Sequence, residues 1–260
     1  MSEKTLRICH LYPDLLNLYG DRGNILCMRR RLEWRGIDAE VTEVTVGEQA
    51  DFTQFDLFFI GGGQDFEQEV LLSDLKAGKG SEIKAAIADG KTFLTICGGY
   101  QMLGQTLDDP TGSESGRPQT LRGLGLLPTR TVFSEQKRRV QVKATVAAAP
   151  FAGAELEGYE IHTGVTEAEG EPFAHYPDGG REGCVQGNVF GTYFHGLFDT
   201  GTLTEALAGW LCRRKGIDPS DAALIPMEEY RRQQFDILAD GVRGALDMDA
   251  VYAAMGMERR

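Results

Sequence analysis

Residues 89–104 read DGKTFLTICGGYQMLG, and within this stretch a strand pattern changes into a helix pattern. The apolar run 92–96 is typical of a short strand buried on both faces, and it stops at Cys97. Two glycines follow, and residues 100–103 continue in a pattern typical of a helix. A strand that turns sharply into a helix places the turn residue at the carboxyl edge of a sheet. The sequence therefore predicts that Cys97 occupies such a turn.

This turn gives Cys97 the surroundings of a nucleophile. The N-terminus of the following helix favours a thiolate over a thiol. Gly98 and Gly99 relieve crowding in a tight turn and expose backbone N–H groups to an oxyanion. The pattern is that of a nucleophile elbow with cysteine in place of serine. The alternative is a structural cysteine buried at a strand end, but the glycine pair and the helix favour the nucleophile.

A thiolate nucleophile requires a base that titrates near neutrality, which is a property of histidine. His195 is the first candidate, because it ends the apolar run 188–195 and precedes a glycine. Its structural alternative is a polar strand-end residue that faces solvent. His162 is the second candidate, as the base or as a substrate-contacting or supporting group, because it ends a strand pattern within GYEIHTG, residues 158–164.

Three glycines, Gly61–Gly63, follow the apolar run 56–60 and are expected at the same sheet edge as Cys97. Their N–H groups suit an oxyanion, although a plain turn has the same composition. The spacing matches neither a dinucleotide fingerprint nor a phosphate loop. Any step driven by ATP would therefore need another chain.

Composition limits the class of protein. The chain has 260 residues, 42% hydrophobic and 25% charged, which is ordinary globular usage. The net charge of −12 argues against non-specific nucleic-acid binding, and no apolar run reaches membrane-spanning or signal-peptide length. The five cysteines have no CxxC spacing and do not form a disulfide framework, which favours a reducing cytoplasm. The four histidines are scattered, so no metal site is expected.

The order of predicted elements indicates an α/β fold. Up to about residue 108, strands alternate with helices, which predicts a parallel sheet covered on both faces. The predicted strands are 6–11, 39–46, 56–60, 92–96, 140–146, 158–162, 184–189 and 191–195. The predicted helices are 24–34, with Asn24 as its cap, 66–75, 82–88, 203–214 and 227–255, and a joint is expected at 218–221.

Together, these residues resemble the class I glutamine amidotransferases, and the resemblance covers essentially the whole chain. Five motifs narrow it to the cobyric-acid-synthase-like branch: IGGGQD (60–65), TICGGYQMLG (95–104), LRGLGLLP (121–128), GYEIHTG (158–164) and GTYFHGLFD (191–199). The resemblance implies a flavodoxin-like fold, with a mostly parallel sheet flanked by helices and short strands added in the second half. It also implies a single amidotransferase domain over residues 1–260, with a C-terminal helical extension from about residue 215.

Two families of that branch remain open. Residues 11–36 and Thr95 are similar to the glutamine amidotransferase subunit of lipid II isoglutaminyl synthase, whereas GYEIHTG and HGLFD are similar to the glutaminase part of cobyric acid synthase. The peptidoglycan family usually has an Asn-His pair where this chain has Ile161-His162. Cobyric acid synthase normally carries an ATP-binding domain in the same polypeptide. We therefore expect a free-standing subunit that forms a heterodimer with a separate, ATP-dependent, Mur-ligase-like partner.

The resemblance implies roles for individual residues and no cofactor. Cys97 and His195 would hydrolyse L-glutamine, and an oxyanion would be bound near Gly62, Gly63 and Gly98. Arg139 would clamp the glutamine α-carboxylate, or alternatively be a solvated charge, and Gln101 would pack beside the pocket.

One position departs from the wider class. Most members place a glutamate two residues after the catalytic histidine, where this chain has Leu197. A carboxylate from elsewhere, such as Glu160 or one from the partner chain, is expected to orient His195. If the partner supplies it, the isolated subunit should be a poor glutaminase.

Overall fold

The computed structural model describes residues 4–17, 20–63, 67–199, 202–218 and 227–257. The chain divides into two compact units, Met1–Ala222 and Ala223–Arg260. Of the joint expected at 218–221, only Asp218 is among the described residues.

The strands, in chain order, are β1 (Thr5–Leu11), β2 (Asp38–Val44), β3 (Leu57–Ile60), β4 (Thr92–Ile96), β5 (Thr106–Asp109), β6 (Gln119–Arg122), β7 (Thr129–Val146), β8 (Glu155–Ala168), β9 (Ala174–His175), β10 (Arg181–Glu182), β11 (Cys184–Gln186) and β12 (Val189–Thr192). The α-helices are α1 (Arg22–Glu33), α2 (Gln68–Asp74), α3 (Gly80–Ala88), α4 (Gly98–Leu103), α5 (Leu203–Arg214), α6 (Met227–Ala245) and α7 (Met248–Ala254). The first unit holds all the strands and α1 to α5, and the second holds α6 and α7.

The first sheet is mostly parallel, as the sequence predicts. Its strand order is β11-β12-β4-β3-β1-β2, and only the β11–β12 pair is antiparallel. Apart from the added edge strand β11, this is the flavodoxin-like order. Every residue of β3 and β4 is buried, because layers of chain cover both faces of the sheet. The fold class predicted from the sequence is therefore confirmed.

The second sheet is built on a long antiparallel ribbon. Strands β7 and β8 pair from Thr129↔Ala168 to Thr145↔Glu155, with one irregularity between Phe133 and Arg138. The sequence predicted only residues 140–146 and 158–162 as strands in this region. The missed part includes SEQKRR, in which most side chains are exposed and no apolar alternation marks a strand.

Several further boundaries differ from the predictions; for example, the helix predicted over residues 227–255 is divided between α6 and α7. Helix α1 begins at Arg22, so Asn24 lies within the helix and does not cap it. After α2, a π-helical turn at Leu75–Lys79 leads directly into α3. The strand expected to end at His195 stops at Thr192, and His195 forms an isolated bridge with Tyr159 instead.

Two features are absent from the described residues. None of the described helices combines the length and the apolar character that crossing a bilayer requires. Within the same ranges, no cluster of three or more His, Cys, Asp or Glu side chains is arranged to hold a metal ion.

Candidate active site

Four loops meet at the carboxyl edge of the first sheet. Asp21 follows β1, the glycines Gly61–Gly63 follow β3, Cys97 follows β4, and His195 lies beyond the end of β12. These strands are neighbours in the order β12-β4-β3-β1. Because parallel strands end at a common edge, residues distant in sequence are brought together there, where open α/β sheets bind ligands.

Cys97 has the backbone of a nucleophile elbow. Its φ of 52° and ψ of −112° place a non-glycine residue in a strained region. Its N–H donates to the carbonyl of Thr192 at 2.9 Å, and its carbonyl accepts from the N–H of Gln101 at 2.9 Å. The Sγ atom lies 3.7 Å from the carbonyl oxygen of Ile161 and is almost fully buried. The surrounding hydrogen bonds hold the strained turn in place.

His195 is oriented by a carboxylate that the sequence analysis did not identify. Its Nδ1 lies 3.1 Å from both carboxylate oxygens of Asp21, and both side chains are completely buried. The chain separation of 174 residues explains why no local pattern revealed this pair. The one sequence feature that could have pointed to Asp21 is its place as an acidic residue in the loop after the first parallel strand.

Asp21 also organises the loops around it. Its carboxylate accepts a hydrogen bond from the N–H of Gly62 at 2.7 Å and another from Asn24 Nδ2 at 3.3 Å. Asn24 Oδ1 in turn accepts from the N–H of Phe198 at 3.2 Å. Asn24 therefore supports the carboxylate that faces His195, in place of the capping role predicted for it.

Gly62 is the point at which the two reactive side chains converge. A Cβ on this residue would lie 2.8 Å from Cys97 Cβ and 2.8 Å from His195 Cε1, so no side chain fits. Its N–H already donates to Asp21, so this N–H is not available for the oxyanion role predicted for Gly62. A Cβ on Gly98 would lie 3.7 Å from Gly63 N, which places these two glycines side by side.

Gln101 lies one helical turn after Cys97 in a buried chain of polar groups. Its Oε1 accepts from Gln68 Nε2 at 2.6 Å, and its Nε2 donates to the hydroxyl of Tyr193 at 3.2 Å. The Tyr193 hydroxyl also hydrogen-bonds to Thr166 Oγ1 at 2.6 Å. These contacts fix the amide of Gln101 one helical turn after Cys97.

Glu160 and His162 belong to a different cluster. The Glu160 carboxylate accepts hydrogen bonds from Arg138 and Tyr176, and it lies 3.6 Å from His162 Nε2. Burial opposes ionisation of Glu160, but the hydrogen bonds from these three residues keep its pKa below the usual value. The His162 ring stacks on Tyr193 with centroids 3.8 Å apart, and its Nδ1 lies 2.7 Å from the carbonyl of Gly164.

This cluster lines a cavity of about 410 Å³ beside β8 and β10. Because the Glu160 carboxylate is engaged there, it does not orient His195, and the structure gives that position to Asp21. The expectation that named Glu160 is therefore corrected. His162 contacts the same cluster, so the structure separates the two histidines that the sequence offered as alternative bases.

Arg139 lies on the ribbon face that approaches His195. It pairs with Ile161, the residue whose carbonyl contacts Cys97 Sγ, and the ring of Tyr159 on the same face stacks on His195. Arg138 points to the opposite face and binds Glu160. Of the two adjacent arginines, Arg139 is thus the one directed to the side of the reactive residues.

Comparisons with known proteins identify relatives of this chain. The model of the CobB/CobQ-like glutamine amidotransferase domain matches residues 7–203. The subunit GatD of a glutamine-hydrolysing lipid II isoglutaminyl synthase from Staphylococcus aureus is 37% identical over 221 residues, covering 82% of this chain and 86% of GatD. A cobyric acid synthase from Lachnoclostridium phytofermentans is also 37% identical, over 71% of this chain and 40% of that protein.

The chain spans 34% of the length of the cobyric acid synthase from Klebsiella pneumoniae and 43% of that from Desulfitobacterium hafniense. Among solved structures, PurLQS from Thermotoga maritima superposes with a TM-score of 0.50 at 20% identity, over 81% of this chain and 96% of that one. That similarity concerns the fold alone. The family match covers the four loops described above, and the chain therefore belongs to the CobB/CobQ-like glutamine amidotransferases and is an enzyme of that class.

Proposed function

We propose that this chain hydrolyses the side-chain amide of L-glutamine through a thioester on Cys97. The observation that carries the proposal is the buried hydrogen bond between His195 Nδ1 and Asp21, formed next to the strained Cys97 elbow. A nucleophile, a base and an acidic group that orients the base are the parts that such covalent catalysis requires. Asp21 holds the proton on Nδ1, which leaves Nε2 as the basic nitrogen.

In the first half of the reaction, the Cys97 thiolate attacks the amide carbon of glutamine and the carbonyl oxygen becomes an oxyanion. The N–H groups of Gly63 and Gly98 donate to that oxygen. Protonated His195 gives its Nε2 proton to the leaving nitrogen. The carbon–nitrogen bond breaks, ammonia departs, and a γ-glutamyl thioester remains on Cys97.

In the second half, neutral His195 removes a proton from water as the water oxygen attacks the thioester carbon. The carbon–sulfur bond breaks, glutamate is released, and the Cys97 thiolate and protonated His195 are restored. Asp21 remains ionised throughout, because its task is to orient the imidazole and stabilise the imidazolium. Arg139 is assigned to the α-carboxylate of glutamine, which its planar guanidinium matches with two parallel hydrogen bonds.

Replacing the nucleophile tests this reaction. We expect Cys97→Ala to release no ammonia from glutamine, while its thermal unfolding stays close to that of the wild type because the change is small. A coupled assay for ammonia and a melting curve measure the two properties. Cys212→Ala is the matched control and should keep its activity, since Cys212 is also buried but lies near Asp56, at the opposite end of β3 from the glycines. Ammonia release by Cys97→Ala would remove the nucleophile assignment.

For the ammonia acceptor, we propose that a separate ATP-dependent, Mur-ligase-like subunit forms a heterodimer with this chain. The partner would activate the D-glutamate α-carboxylate of lipid II, which ammonia then converts into an amide. The support is the alignment with GatD, which extends over most of both proteins. A cytoplasmic location stays a prediction from the cysteine pattern.

A corrinoid carboxylate is the second candidate acceptor. The specific support is the equal identity to cobyric acid synthase, together with the GYEIHTG motif. To separate the two, the chain is mixed with a Mur-ligase-like ATPase from the same organism, glutamine and ATP, and then with either lipid II or a corrinoid acid. Mass spectrometry of the acceptor should show amidated lipid II. Amidation of the corrinoid alone would contradict the peptidoglycan assignment.

A further inference from the structure

The β7–β8 ribbon contacts His195 at a point that the proposed reaction does not use. The N–H of His195 donates to the carbonyl of Tyr159 at 2.8 Å, and the N–H of Tyr159 donates to the carbonyl of His195 at 3.3 Å. This pair of hydrogen bonds lies outside the regular strand pairing. It fixes the backbone of the residue whose side chain would transfer the proton.

Gly158 allows the ribbon to come this close. A Cβ on Gly158 would lie 2.2 Å from the carbonyl oxygen of His195, a distance that no side chain can occupy. Glycine at this position is therefore a steric requirement of the contact between the ribbon and His195. The first two residues of the GYEIHTG motif thus have a physical role that the catalytic assignment did not explain.

The ring of Tyr159 covers one face of the His195 imidazole. The ring centroids are 5.3 Å apart and the planes differ by 16°, which is a stacked arrangement. His195 is completely buried, whereas Tyr159 is partly exposed. Burial, and then the carboxylates of Asp21 and Asp199, raise the pKa of Tyr159, which is consistent with a neutral ring in this position.

We propose that Tyr159 is a positioning residue for glutamine hydrolysis, whose ring holds the His195 imidazole in the orientation set by Asp21 and excludes water from that hydrogen bond. Asp21 fixes the edge of the imidazole at Nδ1, and the stacked ring restricts rotation about the bond to Cβ. Tyr159 acts through His195. This inference rests on the proposed function, because it assigns Tyr159 to that reaction.

The same ribbon carries Arg139, the residue assigned to the α-carboxylate of glutamine, and Ile161, whose carbonyl contacts Cys97 Sγ. Arg139 pairs with Ile161, and Tyr159 lies two residues before Ile161 on β8. Arg139 and Tyr159 therefore lie on the same face of the ribbon. One structural element therefore links the substrate clamp to the support of the base. Removing the Tyr159 ring should impair proton transfer while leaving glutamine binding largely intact.

The experiment compares Tyr159→Phe, Tyr159→Leu and Tyr159→Met with the wild type as full-length proteins, with glutamine as the substrate. Tyr159→Phe keeps the ring and should keep kcat within about two-fold. Tyr159→Leu and Tyr159→Met remove the ring and should lower kcat by about 10- to 100-fold, with KM changed less than about two-fold. Tyr252→Leu in α7 makes the same change elsewhere and should behave as the wild type. Melting curves check that each variant is folded.

The possible outcomes separate this inference from the proposed function. A wild-type protein that releases no ammonia from glutamine would overturn the proposed function, and the assignment of Tyr159 with it. An active wild type with an equally active, folded Tyr159→Leu would overturn the assignment of Tyr159 alone. Equal losses of kcat in Tyr159→Phe and Tyr159→Leu would also contradict the proposal that the ring supports His195. A loss of activity that comes from a raised KM would contradict it as well.

Discussion

At the scale of single residues, one carboxylate connects the parts of the candidate site. Asp21 receives hydrogen bonds from the Gly62 N–H and from Asn24, and its oxygens face Nδ1 of His195. Leu197, two residues after His195, is buried and apolar, so the position where most members of the wider class place a glutamate supplies no carboxylate. The acidic partner of the base therefore comes from the loop after the first strand. A group in this position needs no partner subunit to orient His195.

Replacing this carboxylate gives a sharp test at the same scale. Asp21→Asn keeps the shape of the side chain but loses the charge that stabilises the imidazolium, so kcat should fall by about 10²- to 10⁴-fold. Glu160→Gln is the matched control: it neutralises another buried carboxylate and should retain most of the activity, because Glu160 contacts Arg138 and Tyr176. Steady-state glutaminase kinetics on both variants check this. If Glu160→Gln lost more activity than Asp21→Asn, the two assignments would be reversed.

At the scale of elements, runs of apolar residues with clear ends were predictable, whereas the charged part of the β7–β8 ribbon was not. The strand before Cys97, the helix after it and helix α5 follow from runs of apolar residues with clear ends, and the structure confirms them. The charged middle of β7 lacks such alternation, so most of the ribbon was missed. Asp21 was missed for a different reason, because its function depends on a contact between distant loops that no local pattern encodes.

A buried carboxyl group of β10, which contacts the end of β12, gives a prediction at the scale of elements. Glu182 of β10 accepts hydrogen bonds from the Tyr193 N–H at 2.7 Å and from Thr192 Oγ1 at 2.9 Å. Burial raises its pKa to about 8, although these hydrogen bonds oppose the shift. The folded state then binds a proton that the unfolded chain has already lost, so this group reduces stability as pH rises from about 4.5 to about 8.

Glu182→Gln removes that titration and keeps the side-chain shape. The variant should gain stability relative to the wild type as the pH rises from 5 to about 8, by an amount on the order of a few kcal/mol. Melting temperatures of both proteins across this range measure the effect. A difference in melting temperature that stays constant with pH would contradict the assignment.

At the scale of the whole molecule, the residues assigned to catalysis all lie in the first compact unit. The family match ends at residue 203, and the unit ends at residue 222. Helices α6 and α7 form the second unit and contribute none of the candidate active-site residues. The chemistry of glutamine hydrolysis is therefore assigned to Met1–Ala222.

This assignment predicts the result of a truncation. A chain that ends at residue 222 should hydrolyse glutamine with a kcat within about two-fold of the full chain, since every group in the proposed reaction is retained. The measurement is ammonia release, with circular dichroism as the check on folding. A folded but inactive truncated chain would show that residues 223–260 take part in the reaction.

The sequence separation of 174 between Asp21 and His195 also matters while the protein is being made. During synthesis, the acidic group and the cysteine emerge from the ribosome long before the histidine. A nascent chain cannot split glutamine until β12 has joined the sheet beside β4 and brought the imidazole to the other two groups. The order of the sequence thus delays the assembly of the three groups until the last strands of this sheet have been made.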